Sequence, residues 1–356
     1  MNDRIERLRK QMDKKGLNAV LVTGKTNIRY FSGFTSEDAT LVITGDEAFL
    51  LTDFRYTIQA KEQTNGRFTL VEVGRGQYVD TIKELLARDN CVCVGFEDAE
   101  VSFSTYQLLG GLQVELAPFS EEMNRIRIIK TADEIESLKK AQAIADKAFI
   151  ELLNTIHPGM SEKRVAAELL YICAKLGSEG PSFDPIVGSG PNGAMCHAVP
   201  SERVLQKGDL VVLDFGCIYN GYCSDMTRTI AVGEVDDFSK KIYDIVLEAQ
   251  LRALNALRAG ILGSELDDVA RSYIASKGYG DCFGHSLGHG FGLQVHEAPM
   301  ASTRSTDTFE PGMTITIEPG IYIEGKCGVR IEDCCVVAED GKINLVSSSK
   351  ECFSIN

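Results

Sequence analysis

Leu210-Val211-Val212-Leu213-Asp214-Phe215-Gly216-Cys217-Ile218-Tyr219-Asn220-Gly221-Tyr222-Cys223-Ser224-Asp225-Met226-Thr227-Arg228-Thr229-Ile230-Ala231-Val232 reads as two apolar strands joined by Asn-Gly. That dipeptide is the strongest short-range signal for a hairpin. With Asn220-Gly221 as a two-residue loop, Tyr219 faces Tyr222 and Asp214 faces Thr227. Asp225 then lies two residues from Thr227, on the same face. Such diagonal neighbours stand about 7–8 Å apart at Cα, a gap that side chains close. Two carboxylates therefore converge in an otherwise apolar sheet. Buried like charges are costly without compensation, so the pattern calls for a bound cation.

The pattern recurs about a hundred residues later. Met313–Ile317 alternates into Glu318-Pro319-Gly320 and Ile321-Tyr322-Ile323, and a further strand over Gly328–Ala338 carries Arg330 and Glu332 on one face. Between the two carboxylate-bearing regions runs Gly284-His285-Ser286-Leu287-Gly288-His289-Gly290-Phe291-Gly292, followed by His296-Glu297. Four of the five histidines, His197, His285, His289 and His296, fall among these strands and loops. His296-Glu297-Ala298-Pro299 cannot continue as the helix of an HExxH zinc site, because proline stops it. A faint internal repeat frames the set. A long helix, a Gly-containing turn at His157–Glu162 and a shorter helix ending near Gly177 are matched by a long helix over about 238–258, a turn at Ala259–Glu265 and a shorter helix ending near Gly278. Two related halves imply a pseudo-two-fold core whose site draws residues from both.

Upstream, apolar runs at Ala19–Val22, Thr40–Thr44, Ala48–Thr52, Phe68–Val73, Cys91–Phe96 and Leu112–Leu116 alternate with helical patterns at 2–15, 77–87 and 104–109. This is an α/β domain with a mixed sheet and no motif for chemistry. Glu121–Lys130 reads as a connecting segment, and Thr131-Ala132-Asp133-Glu134 as the capping box of a long amphipathic helix. The chain thus divides into residues 1–125 and 126–356, in keeping with its 356 residues and a typical domain of about 150.

Thirty-seven Lys and Arg against 51 Asp and Glu leave a net charge of −14, which excludes a large basic face for nucleic acid or anionic lipid. No run reaches the ~18 apolar residues of a membrane span, and Met1-Asn2-Asp3-Arg4-Ile5-Glu6-Arg7 carries charge where a signal peptide is expected to have an apolar core. A cytoplasmic protein is expected, its eleven cysteines reduced and mostly buried, without the CxxC spacing of a zinc site. Gly188-Ser189-Gly190-Pro191-Asn192-Gly193 matches GxGxxG only in letters. Pro191 and Pro200 deny it the helix a dinucleotide site needs, and a loop presenting His197 is the better reading. Asp214-Phe215-Gly216 lacks the other kinase motifs.

Asp214, Asp225, His289, Glu318 and Glu332, in the strings Leu213-Asp214-Phe215-Gly216, Ser224-Asp225-Met226-Thr227-Arg228-Thr229, Gly288-His289-Gly290, Glu318-Pro319-Gly320 and Arg330-Ile331-Glu332-Asp333, resemble the five metal ligands of the pita-bread metallopeptidases. That family includes methionine aminopeptidase, aminopeptidase P, prolidase and creatinase. Asn27-Ile28-Arg29-Tyr30-Phe31-Ser32-Gly33-Phe34 and Leu51-Thr52-Asp53-Phe54-Arg55-Tyr56 resemble the creatinase/prolidase N-terminal domain, so the likeness covers essentially the whole chain. It implies an α/β N-terminal domain followed by an α+β pita-bread catalytic domain with pseudo-two-fold symmetry. The extra N-terminal domain favours the proline-directed branch.

The resemblance implies a dinuclear-metal exopeptidase. Four carboxylates balance two divalent ions, and oxygen-rich ligation with one imidazole suits Mn2+ first, then Co2+ or Fe2+, with Zn2+ an option. It implies that Asp214 binds one ion, His289 and Glu318 the other, and that Asp225 and Glu332 bridge. It further implies that Glu318 handles the proton of the attacking water, that His197 and His296 polarise the scissile carbonyl, and that His285, Tyr322 and Arg330 hold substrate. The substrates implied are peptides with proline at the second position. With no further basic residue in view for a dipeptide carboxylate, the expectation leans to an Xaa-Pro aminopeptidase, with an Xaa-Pro dipeptidase (prolidase) as the alternative. A non-catalytic binding homologue and a metal-free creatinase-like amidinohydrolase are less favoured, because all five ligand positions are filled. The family also implies a homodimer formed through the N-terminal domain.

Overall fold

Short apolar strands alternating with amphipathic helices build one six-stranded mixed sheet in the first third of the chain. The computed structural model describes residues 2–355, in two units that divide between Arg127 and Ile128. The expected division lay at 125/126. The first unit contains α1 (Asn2–Lys15), β1 (Ala19–Val22), α2 (Lys25–Ser32), β2 (Ala39–Thr44), β3 (Ala48–Thr52), α3 (Thr57–Thr64), β4 (Thr69–Glu72), α4 (Tyr78–Arg88), β5 (Cys93–Phe96), α5 (Phe103–Leu109), β6 (Glu115–Pro118) and all but the last residue of α6 (Ser120–Ile128). The strand order is β4-β3-β2-β1-β5-β6, with β1, β2 and β3 antiparallel and the outer pairings parallel. Leu21, Val42, Phe49 and Leu51 from the sheet bury against Ile82, Leu85 and Leu86 of α4.

Three details depart from expectation. Two further helices, α2 and α3, form where no helical pattern is read. The last strand starts at Glu115 rather than Leu112, because Gly110–Leu112 tighten into a 3₁₀ turn and Gln113 adopts a left-handed conformation, φ 61°. Most of the expected connecting segment at Glu121–Lys130 is helix α6. Met123 and Ile126, three residues apart, give it a buried face.

The second unit holds α7 (Ala132–Leu153), α8 (Glu162–Lys175), β7 (Ile186–Ser189), β8 (Leu210–Phe215), β9 (Ile218–Tyr219), β10 (Tyr222–Cys223), β11 (Met226–Val232), α9 (Asp237–Ala256), α10 (Gly263–Ser276), β12 (Gly288–Gly290) and β13 (Glu297–Ala301). It continues with β14 (Thr314–Ile317), β15 (Gly320–Ile323), β16 (Cys327–Arg330), β17 (Asp333–Ala338), β18 (Gly341–Asn344) and β19 (Ser354–Ile355). The capping box at the start of α7 is complete: Glu134 N donates to Thr131 Oγ1 and Thr131 N to Glu134 Oε2.

The hairpin register is the one the Asn-Gly turn dictates. Tyr219 pairs with Tyr222 and Asp214 with Thr227, and Asn220 and Gly221 take φ of 50° and 77°. Both positive values are those of a type I′ turn. In the second half, β14 pairs with β17 (Ile317 with Asp333) and β15 with β16 (Gly320 with Arg330). The common register places Glu318 opposite Glu332, in the gap between the two ladders.

The internal repeat has a physical counterpart in two cores. Leu152, Val165 and Leu169 from α7 and α8 bury Leu213, Phe215, Met226 and Ile230 of the first carboxylate hairpin. Ile242, Val246 and Leu266 from α9 and α10 bury Ile315, Ile317, Val329 and Ile331 of the second. Each helix pair thus backs one hairpin.

Candidate metal centre

Each carboxylate owes its place to a strand whose other residues are apolar and packed, so the strand cannot slip without exposing them. Asp214 is the last residue but one of β8, the first arm of one hairpin, and Asp225 immediately precedes β11, the second arm. Glu318 and Glu332 occupy the break in the other hairpin. His289 is the middle residue of β12, and His289 N donates to Thr316 Oγ1 at 3.0 Å, which ties β12 to β14. One ligand atom each of Asp225, His289 and Glu332 fall within 4.8 Å of one another, and all three residues are buried. His289 Nε2 is 3.3 Å from Glu318 Oε1 and 3.7 Å from Asp225 Oδ2. Asp214, also buried, faces the same cavity.

Three observations fit these residues to a bound cation. His289 Nδ1 donates to the carbonyl of Gly290 at 3.0 Å, leaving the lone pair of Nε2 toward two carboxylate oxygens. A lone pair facing anions is repulsive, and a cation between them relieves it. Burial, together with the charges of Glu332, Asp214 and Glu318, pushes the Asp225 carboxyl well above its usual range. Glu332 is raised in the same way, by burial and then by Glu318 and Asp214. Burial lifts Glu318 to about 7 against the lowering field of Arg330, and burial lowers His289. Finally, Asp214 Oδ1 is buried and among the described residues has no hydrogen-bond partner. A buried acceptor left open is costly, and a cation satisfies it. Carboxylate and imidazole donors without thiolate suit a hard or borderline divalent ion.

The donors are braced by residues the sequence reading passed over. Thr227 Oγ1 donates to Glu332 Oε2 at 2.7 Å, and Thr316 Oγ1 to Glu318 Oε1 at 3.0 Å. Both signals were accessible: Thr227 is the partner of Asp214 in the hairpin, and Thr316 shares a strand face with Glu318. Arg330 is the busiest group. It donates to Asp214 Oδ2 through Nη2, to Thr227 Oγ1 through Nε at 3.1 Å, and through Nη1 to the Tyr322 hydroxyl at 2.7 Å and the Cys196 carbonyl at 3.1 Å.

The cavity beside these groups has a volume of about 460 Å³. His197, His285, His296 and Arg330 line it, with Phe183, Ile186 and Met300 as an apolar part of the wall. His197 and His296 are exposed at it. The His296 ring stands edge-on to His289 with centroids 4.4 Å apart, and burial followed by its histidine neighbours lowers its pKa. His285 donates from Nδ1 to Ser286 O at 2.8 Å and accepts from the Tyr322 hydroxyl at 2.9 Å, and burial holds it neutral, at about 4. Tyr322 does not line the cavity. Its hydroxyl links Arg330 to His285 behind the wall.

Residues 136–339 match the family model described as metallopeptidase family M24, and residues 4–129 match that of the creatinase/prolidase N-terminal domain. The chain is 44% identical to an Xaa-Pro dipeptidase structure from Bacillus anthracis, with a TM-score of 0.96 and 99% of each chain covered. It is 40% identical to the Xaa-Pro dipeptidase of Pyrococcus furiosus, again over 99% of each. An X-Pro aminopeptidase structure from Thermotoga maritima is 39% identical, with a TM-score of 0.91, covering 97% of this chain and all of that one.

Proposed function

The chain belongs to metallopeptidase family M24 and is a hydrolase, and from that premise we propose that it is an Xaa-Pro dipeptidase, releasing proline from dipeptides. The observation that carries the reading is the convergence of Asp214, Asp225, His289, Glu318 and Glu332 on a cavity of about 460 Å³ with a partly apolar wall. That volume lies in the range of small-ligand sites. The expectation from sequence leaned to the aminopeptidase; the dipeptidases among the relatives favour the dipeptidase.

Asp214, Asp225, His289, Glu318 and Glu332 would hold two divalent ions, Mn2+ first among them. Bound there, such ions supply Lewis acidity and lower the pKa of water toward neutrality. Glu318, with one oxygen accepting from Thr316, has the other free to take the proton of the attacking water and pass it toward the leaving nitrogen. The imidazoles of His197 and His296 offer N–H donors to the carbonyl oxygen as it becomes an oxyanion. The nitrogen of an Xaa-Pro bond carries no hydrogen, so the proline ring is recognised by shape, for which Phe183 and Ile186 provide an apolar surface.

One observation favours a second reading, the Xaa-Pro aminopeptidase. Arg330 is the one Lys or Arg among the described residues lining the cavity, and its donors are already committed to Asp214, Thr227, Tyr322 and Cys196. A dipeptide's carboxylate finds no uncommitted cation there. Mn2+-reconstituted protein offered Ala-Pro and Ala-Pro-Ala separately decides the matter by release of alanine. Cleavage of the dipeptide alone supports the dipeptidase, cleavage of the tripeptide the aminopeptidase, and silence on both overturns the proposal.

Among the described residues no helix is long and apolar enough to cross a membrane, and all eleven cysteines are free. The reading places the enzyme in the cytoplasm as a homodimer, which sedimentation equilibrium tests.

A further inference from the structure

His197 stands exposed at the cavity, and among the described residues its ring has no hydrogen-bond partner. Its place is therefore set by its backbone. That backbone leaves β7 at Ser189 and passes through Ser201, and both points are held by one carboxylate. Glu162, wholly buried in the first turn of α8, accepts at Oε1 from Ser189 N (2.8 Å) and Ser189 Oγ (2.6 Å). At Oε2 it accepts from Ser201 N (3.0 Å) and Ser201 Oγ (2.6 Å). Asn192 Nδ2, between them in sequence, donates to both oxygens at 3.1 Å. Arg203 braces the entry point by donating to Ser189 Oγ and, through both Nη atoms, to Asp209.

The other side of the loop is seated on β16. Arg330 Nη1 holds the carbonyl of Cys196, the residue before His197. Gly193 lies so close to Gly328 that a Cβ on Gly328 would come 1.7 Å from the Gly193 carbonyl oxygen. Burial works to raise the Glu162 carboxyl, but the hydroxyl and amide donors of Ser189 and Ser201 outweigh it and hold the group ionised below its usual range. The helix N-terminus favours the same charge. Charge-assisted bonds of this kind are the strong ones.

We propose that Glu162 is a positioning residue of the site, a staple across residues 189–201 that sets where His197 meets the substrate carbonyl. The catalytic part rests on the peptidase reading above; the staple itself rests on the hydrogen bonds that Glu162 accepts from Ser189 and Ser201.

Glu162→Gln preserves shape but turns one acceptor into a donor that must face an N–H of Ser189 or Ser201. Expected at constant metal content is a kcat about 10–100-fold lower, the scale of an ångström's misplacement. KM should move less than about 3-fold, since binding to the rest of the cavity is untouched. Glu162→Gln/His197→Ala should be no slower than His197→Ala alone, because both act through one imidazole. Amide exchange in 190–200 should quicken. Wild-type kcat in Glu162→Gln, losses that multiply in the double variant, or unchanged loop exchange each overturns the proposal. Should Glu162→Gln fail to fold, Ser201→Ala, which keeps the carboxylate, carries the same comparisons with a smaller loss. Should the wild type cleave neither Ala-Pro nor Ala-Pro-Ala, the peptidase reading fails by itself, and unchanged exchange in 190–200 still overturns the staple.

Discussion

Thr227 and Arg330 show how one side chain sets the chemistry of another. Arg330 touches Asp214 directly and Glu332 through the Thr227 hydroxyl, so a single guanidinium orients a carboxylate from each hairpin. Thr227→Val keeps the volume and removes the relay. It should weaken divalent-metal affinity by about 10–100-fold, the usual cost of losing a partner of a ligand, as read by calorimetric titration. Arg330→Lys tests what the guanidinium serves. An ammonium cannot reproduce its planar fork of donors. If Arg330 braces the site, kcat falls on Ala-Pro and Ala-Pro-Ala alike; a rise in KM confined to the dipeptide would instead assign it to the substrate carboxylate.

Elements meet here through capped helix starts and strand gaps rather than through broad loops. The N-terminus of α8 is the clearest case, since its first residue holds the 189–201 loop. The pH dependence follows from sign. The Glu162 pKa is depressed in the folded protein, so its contribution to stability is complete above the unfolded value, about 4.3, and is lost as pH falls through the folded value. Urea unfolding followed from pH 6 to pH 3 should therefore show a steeper loss for wild type than for Glu162→Gln. Parallel curves would remove the ionised staple from the account.

Across the whole molecule, all five candidate metal donors belong to the unit that begins at Ile128, and the first unit has its own sheet and core. Ligand bound to the native state stabilises it by mass action, about 2.7 kcal/mol at a hundred times the dissociation constant. Chelation should accordingly speed amide exchange in 210–232 and 314–338 and leave 19–96 unchanged. Equal acceleration in both units would contradict a site built by the second unit alone.

Much of this was legible in the amino-acid order, and the reason is locality. Asn220-Gly221 admits one kind of turn, the turn sets the register, and the register brings Asp214 and Asp225 together; the same alternation aligns Glu318 with Glu332. The α7 capping box and most strands follow from equally short-range patterns. Helix α6 was missed because Met123 and Ile126 mark too short a face to stand out from a polar segment. What only the tertiary structure decided is which distant elements meet: Thr227 with Glu332, Arg330 with Asp214 and Cys196, Glu162 with both ends of the His197 loop. Those partners lie from 27 to 134 residues apart. Their meeting is fixed by how two helix pairs pack on two hairpins, a property of buried shape that no local spacing encodes.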